Sequence, residues 1–142
     1  MTGADIVKAS WAGTAALTVA AAVAVAVKDA GVVLLAVSLV LFTGGSVAFA
    51  AALLKAAHRS RREELFLAGL FFLSGAPTAV RRHLLGSLAV EVVVALTAAG
   101  VRPNSSVAFG VLAPMWGQGL AGLWGARHGT FPSRAKGPRD RV

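Results

Sequence analysis

The sequence predicts an all-α fold: a four-helix transmembrane bundle of two antiparallel hairpins, with a short interfacial or re-entrant helix between the second and third helices. Three observations predict it. Of the 142 residues 56% are hydrophobic and only 14% charged, and the mean hydropathy is +0.72. This apolar excess is larger than the core of a soluble domain of this size can hold. The apolar residues also gather into runs of about 20, the length a helix rising about 1.5 Å per residue needs to cross a hydrocarbon core about 30 Å thick. Finally, the basic residues collect in the connections on one side of those runs.

A first span covers about 9–27 and a second 32–54. The third runs 77–101, around "LLGSLAVEVVVALTAAGV", and the fourth 107–126. The short links "KDAG" and "RPNSS" make the first two spans one tight hairpin and the last two another. Pro77 suits the opening of the third span, where a missing N–H costs nothing. Gly100 and Pro103 stop that span, and Asn104 or Ser105 can cap the fourth. The first run is longer than a secretory h-region of about 7–15 residues and is followed at once by another span, which favours a retained helix over a cleaved signal.

The stretch "LFLAGLFFLSGAPTAV" (65–80) is the ambiguous piece, because its apolar core would be only about 13 Å long as a helix. Charge decides. With four spans and both termini cytoplasmic, the inner set is Lys8, Lys55, Arg59, Arg61, Arg62, Arg81, Arg82, Arg127, Arg134, Lys136, Arg139 and Arg141, and only Lys28 and Arg102 lie outside. A fifth span would move Lys8 and "KAAHRSRR" outward and nearly abolish the bias, so residues 65–74 read as an interfacial or re-entrant helix. The chain is then one transmembrane domain over 1–128 and a disordered basic tail over 129–142, rich in Gly, Pro and Arg.

Counted along each span from its cytoplasmic end, Glu91, Gln118, Ser46 and Thr18 fall at one level, about 12 Å deep. An acid at that depth costs on the order of 3 kcal/mol to insert, so it must face the bundle and find a partner. Gln118 is the expected one, since its amide serves either form of the carboxyl. Glu91 is then either a register-fixing contact or a proton site.

In the fourth span Gly117, Ala121 and Gly125 recur every fourth residue, a small-residue face for close helix packing, and Gly44 and Gly45 form a second small patch in the second span. These faces serve packing within the chain or contact with a second protein or copy. Trp11 and Trp124 are expected as interfacial anchors, and Trp116 as a core residue. His58, His83 and His128 fall at cytoplasmic helix ends without an acidic or thiol ligand at metal-site spacing, so no metal and no cofactor is expected. Arg59, Arg61, Arg62, Arg81, Arg82 and Arg127 read as topology determinants and contacts to anionic lipid. Nucleic acid is not expected as a partner, because no basic module with interleaved aromatics is present.

The segments "GAPTAVRRHLLGSLAVEVVVAL" and "LAPMWGQGLAGLWGARHGTFP", with the Ala, Val, Gly and Arg bias of the whole chain, resemble small multi-pass integral membrane proteins of actinobacteria. The resemblance implies a multi-pass fold and no particular activity. Small multidrug transporters also combine four helices with one membrane glutamate, but theirs lies in the first helix and this one in the third. Without a paired acid, base or nucleophile no catalytic residue is expected. The expected function is a non-enzymatic accessory, assembly or regulatory subunit of a complex in the inner membrane, and the alternative is a small proton-coupled transporter or channel using Glu91.

Overall fold

The computed structural model describes residues 1–134 and is helical throughout, with one isolated β-bridge, Glu63 to Ser133, among the described residues. Its elements are α1 (Gly3–Ala26), α2 (Gly31–Arg59), α3 (Leu67–Phe71), α4 (Thr78–Val101), a 3₁₀ segment (Ser106–Leu112) and α5 (Met115–His128). Three of them, α1, α2 and α4, are long and apolar enough to cross a membrane.

Local chemistry sets most boundaries. The α1 helix starts earlier than the first apolar run because Thr2 and Asp5 form a reciprocal capping box, each side chain accepting from the other's backbone N–H. Its far end is closed by Arg102, which donates to the carbonyls of Val25 and Lys28 at 2.8 and 3.3 Å. Pro77 is the N-cap of α4, and Arg102 follows that helix as its C-cap. The Ser105 hydroxyl caps the 3₁₀ segment by accepting from Val107 N–H.

The expected fourth helix is not continuous. Residues 106–112 wind as 3₁₀, Ala113 and Pro114 interrupt, and only Met115–His128 is α-helical. The ring of Pro114 has no N–H to give and excludes the carbonyl four residues back, so a regular helix cannot pass through it. At about 2.0 and 1.5 Å per residue the two pieces together extend about 35 Å.

Contacts fix how the helices run. Ser10 meets Ser87, Thr14 meets Glu91 and Val25 meets Arg102, all 77 residues apart, so α1 and α4 lie parallel and in constant register. A Cβ on Gly31 would approach Ser106, one on Gly110 would touch Leu34, and Arg59 reaches Ala126, so α2 is likewise parallel to the 3₁₀ segment and α5. Gly3, Arg59 and His128 therefore gather at one end, and Lys28, Gly31, Arg102 and Ser106 at the other.

The centre of the fold is α5, whose residues from Gly119 to Ala126 are all buried. Its backbone is approached from every side. A Cβ on Gly45 would strike the backbone of Met115 and Trp116, one on Gly119 the carbonyl of Gly45, and one on Gly122 the ring of Phe71. Elsewhere the core is built largely of alanines, including Ala24, Ala52, Ala95 and Ala98, while Val19, Val40, Leu54 and Leu96 lie more than 60% exposed on the outside. This is the reverse of a water-soluble protein, and it is the arrangement expected where close packing of small residues, not burial from water, joins helices.

Of the 65–74 stretch, only Leu67–Phe71 is helical. Leu73, at φ 56°, reverses the chain after it. Leu70 and Leu73 are buried, and Phe71 stacks on Phe49 with centroids 4.7 Å apart, while Phe66, Leu67 and Phe72 face outward. The segment thus wedges against α5 by one face.

The tail departs from the expected disorder over its described part. Glu64 N–H donates to Pro132 O, Arg134 N–H to Arg62 O and Thr130 N–H to Gly75 O, so residues 129–134 are tied to both ends of the α3 loop. Residues 135–142 lie outside the described part.

Candidate functional site: a buried carboxyl at a helix break

The interruption at Pro114 leaves first-turn N–H groups of α5 without helical acceptors. Trp116 N–H donates to Ala113 O and Gln118 N–H to Pro114 O, which accounts for the groups on either side of Gly117. The Gly117 N–H takes its acceptor from another helix. It donates to Glu91 Oε2 of α4 at 3.1 Å. An acidic side chain thereby caps α5 at its N-terminus, the end where the helix dipole favours negative charge.

The other carboxyl oxygen faces α1, where Thr14 Oγ1 lies 3.0 Å from Glu91 Oε1. The Thr14 hydroxyl is also 3.0 Å from Ser10 O and has one proton for two acceptors. With Glu91 ionised that proton goes to Oε1; with a proton on Oε1 the acid donates to Thr14, and Thr14 donates to Ser10 O. The site therefore accommodates either form. One turn toward the α1 N-terminus, the Ser10 and Ser87 hydroxyls bond to each other and Ser87 donates to Leu84 O. Glu91, Ser10 and Ser87 are fully buried, and Thr14 nearly so.

The polar level expected from the sequence is thus redrawn. Glu91 is central, but its partners are Thr14 and Gly117, not Gln118. The reason is angular. Gly117 faces Glu91 and Leu88 on α4, Gly119 faces Gly45 on α2, and Gln118, about 100° from its neighbour, falls on the flank between and is half-buried. Ser46 is turned away in the same manner, next to the inward Gly45, and Thr18 is exposed with its hydroxyl donating to Thr14 O. Ser10, Thr14 and Ser87 were missed. Their signal was a repeated spacing of four, Ser10 with Thr14 and Ser87 with Glu91, which puts two polar groups on one face of each helix.

At the opposite end of α5 stands Arg59. Its guanidinium donates to Ala126 O at 3.0 Å, Gly129 O at 2.9 Å and Glu63 Oε2 at 2.6 Å, and lies 5.6 Å from the centroid of Phe131. A cation thus closes the negative end of the helix whose positive end holds Glu91. Arg61, Arg62, Arg81, Arg82 and Arg127 are exposed, and the Arg59–Glu63 pair is the one salt bridge among the described residues.

The small-residue faces are occupied within the chain. Gly117 packs on Glu91 and Leu88, Ala121 is fully buried, Gly125 meets Leu70 O, and Gly44 receives the Trp116 ring. Trp116 also donates from Nε1 to Ala9 O at 3.0 Å, passing over the bare Gly13. Trp124 is a core residue, 5% exposed, and not the boundary anchor expected of it. Trp11 is 40% exposed and sits edge-on to His83, while His128 packs on Trp124.

Comparison with protein-family models, with curated proteins and with solved structures gives no match for this chain.

Proposed function

We propose that this is a non-enzymatic integral membrane protein of the inner membrane that crosses the bilayer four times as two antiparallel hairpins, with both termini cytoplasmic. In this reading it acts as an accessory, assembly or regulatory subunit of a membrane complex. The carrying observation is the distribution of side chains: long apolar groups form the outer girdle, small groups the core, and five arginines without an acidic partner among the described residues stand at one end. The 3₁₀ segment and α5 serve as a composite fourth crossing. Irregular backbone at membrane depth is tolerated where protein buries it and supplies its hydrogen bonds; here α2 packs against it at the bare Gly45 and Glu91 accepts from Gly117 N–H. Because the glycine face of α5 is filled by α2, α3 and α4, association falls to the basic cytoplasmic end and the girdle.

The chain has no cysteine, so single cysteines report topology directly. Asp29→Cys and Asn104→Cys are expected to react with an impermeant maleimide from the periplasmic side, and Ser60→Cys and Thr130→Cys only after the membrane is opened. Reaction of Thr130→Cys from outside would overturn the four-crossing reading. A tagged pull-down in mild detergent then tests association. A stoichiometric partner supports the subunit reading, and recovery of the chain alone, as a defined oligomer that moves a solute in liposomes, removes it.

A proton-coupled transporter or channel is the second reading, supported by the ability of the Thr14 and Ser10 contacts to accept Glu91 in both protonation forms. A proton or cation flux that survives Glu91→Gln unchanged would assign the carboxyl to structure alone.

A further inference from the structure

We infer that the basic end carries a site for one anionic phospholipid, its acyl chain in the groove between the last turns of α2 and the start of α3 and its phosphate at the loop that follows α2. This rests on the membrane reading above.

The groove has a volume of about 290 Å³. The α2 side contributes Leu53, Ala56, Ala57 and Ser60 to its lining, and the following segment Leu65, Phe66 and Leu70. Among the described residues no charged side chain lines the groove, so its interior suits hydrocarbon. The walls continue into the exposed girdle through Leu54 and Leu67, which are 70% and 63% exposed, so a lipid enters sideways without leaving the bilayer.

Charge identifies the headgroup. Arg61 and Arg62 follow Ser60 directly, both are exposed, and neither has an acidic partner among the described residues. Of the two acids that follow, Glu63 is already held by Arg59, whose remaining donors close the end of α5, and Glu64 lines a separate groove with Ser74, Thr130 and Pro132. Two exposed arginines in the residues next to Ser60, itself part of the groove lining, complement a phosphate esterified to a fatty chain. An amphipathic peptide would fill the groove but leave these cations unanswered. A choline lipid would bring its own cation against them.

The test uses the purified, delipidated full chain in detergent, offered equal amounts of phosphatidylglycerol and phosphatidylcholine, with bound lipid counted by native mass spectrometry. One retained phosphatidylglycerol is expected. A cation near a membrane surface contributes about five-fold to binding an anionic lipid, so Arg61→Ala with Arg62→Ala should weaken retention on the order of twenty-fold. Ala57→Phe, which fills the groove from an exposed position and changes no charge, should abolish it. Arg81→Ala with Arg82→Ala removes the same charge elsewhere at this end and should leave it intact.

Equal loss in the two arginine pairs would reduce the effect to general attraction and overturn the site. So would an unaffected Ala57→Phe variant, displacement of the lipid by inorganic phosphate, or a protein captured in place of lipid by a photoreactive residue at position 57. If cysteine labelling upholds four crossings while lipid retention fails, this inference falls and the membrane reading stands.

Discussion

Glu91 answers a specific need of the backbone. Pro114 frees N–H groups at the start of a buried helix, and an unpaired buried donor costs about 1–3 kcal/mol. A glutamate on the neighbouring helix reaches Gly117 N–H and still has an oxygen for Thr14. Glu91→Gln keeps a carbonyl acceptor for Gly117, whereas Glu91→Leu keeps the bulk and removes both acceptors. In detergent unfolding the leucine variant is therefore expected to lose about 1–3 kcal/mol more than the glutamine variant. Equal losses would show that Gly117 draws nothing from the carboxyl. Arg59 makes the complementary case at the other terminus. Arg59→Ala leaves the carbonyls of Ala126 and Gly129 and the Glu63 carboxylate without their donor, and Arg59→Lys restores the charge but not the planar fork. The expected order of unfolding temperature is wild type, then lysine, then alanine, and a lysine variant equal to wild type would reduce Arg59 to a point charge.

At the scale of elements, α5 is held by close backbone approach as much as by its caps. Gly45 and Gly119 let α2 and α5 meet where an added Cβ would strike a backbone carbonyl. Gly119→Ala therefore forces the two helices apart, and a loss of at least about 1–3 kcal/mol is expected, as for overpacked cores generally. Gly86 on α4 supplies the control, because a Cβ there meets nothing within 4 Å. Gly86→Ala should be neutral or stabilising by about 0.5–1 kcal/mol through helix propensity alone. Parallel melting of the two variants checks this, and comparable destabilisation by both would mean that the α2–α5 contact is not a backbone contact. The sequence pointed to Gly44, Gly45, Gly117, Ala121 and Gly125 as packing residues; what it left open was whether they packed within the chain. Of the α5 glycines, Gly119 and Gly122 make the closest approaches to α2 and α3.

Over the whole molecule, the girdle and the core are separable by reactivity. Val40 is 71% exposed and Ala52 fully buried, on the same helix. In a membrane, Val40→Cys should react with a lipid-soluble maleimide and Ala52→Cys should not. Reversed labelling would mean that α2 presents a different face to lipid than the fold assigns.

The limits of each kind of information follow from the range of the forces involved. Length and hydropathy act along the chain, so the sequence by itself determined the helical class and the three long apolar helices. Partners across helices depend on rotation about each helix axis, and one residue of shift is about 100°, so a level shared in depth does not imply a shared face. Tertiary structure alone therefore decided that Glu91 meets Thr14 and Gly117 while Gln118, Ser46 and Thr18 turn aside, and that Trp124 is core. It also decided that the Pro114 break is closed by an acid and the far end of α5 by Arg59. A helix that cannot satisfy its own ends must take those bonds from whichever neighbours the packing brings within about 3 Å.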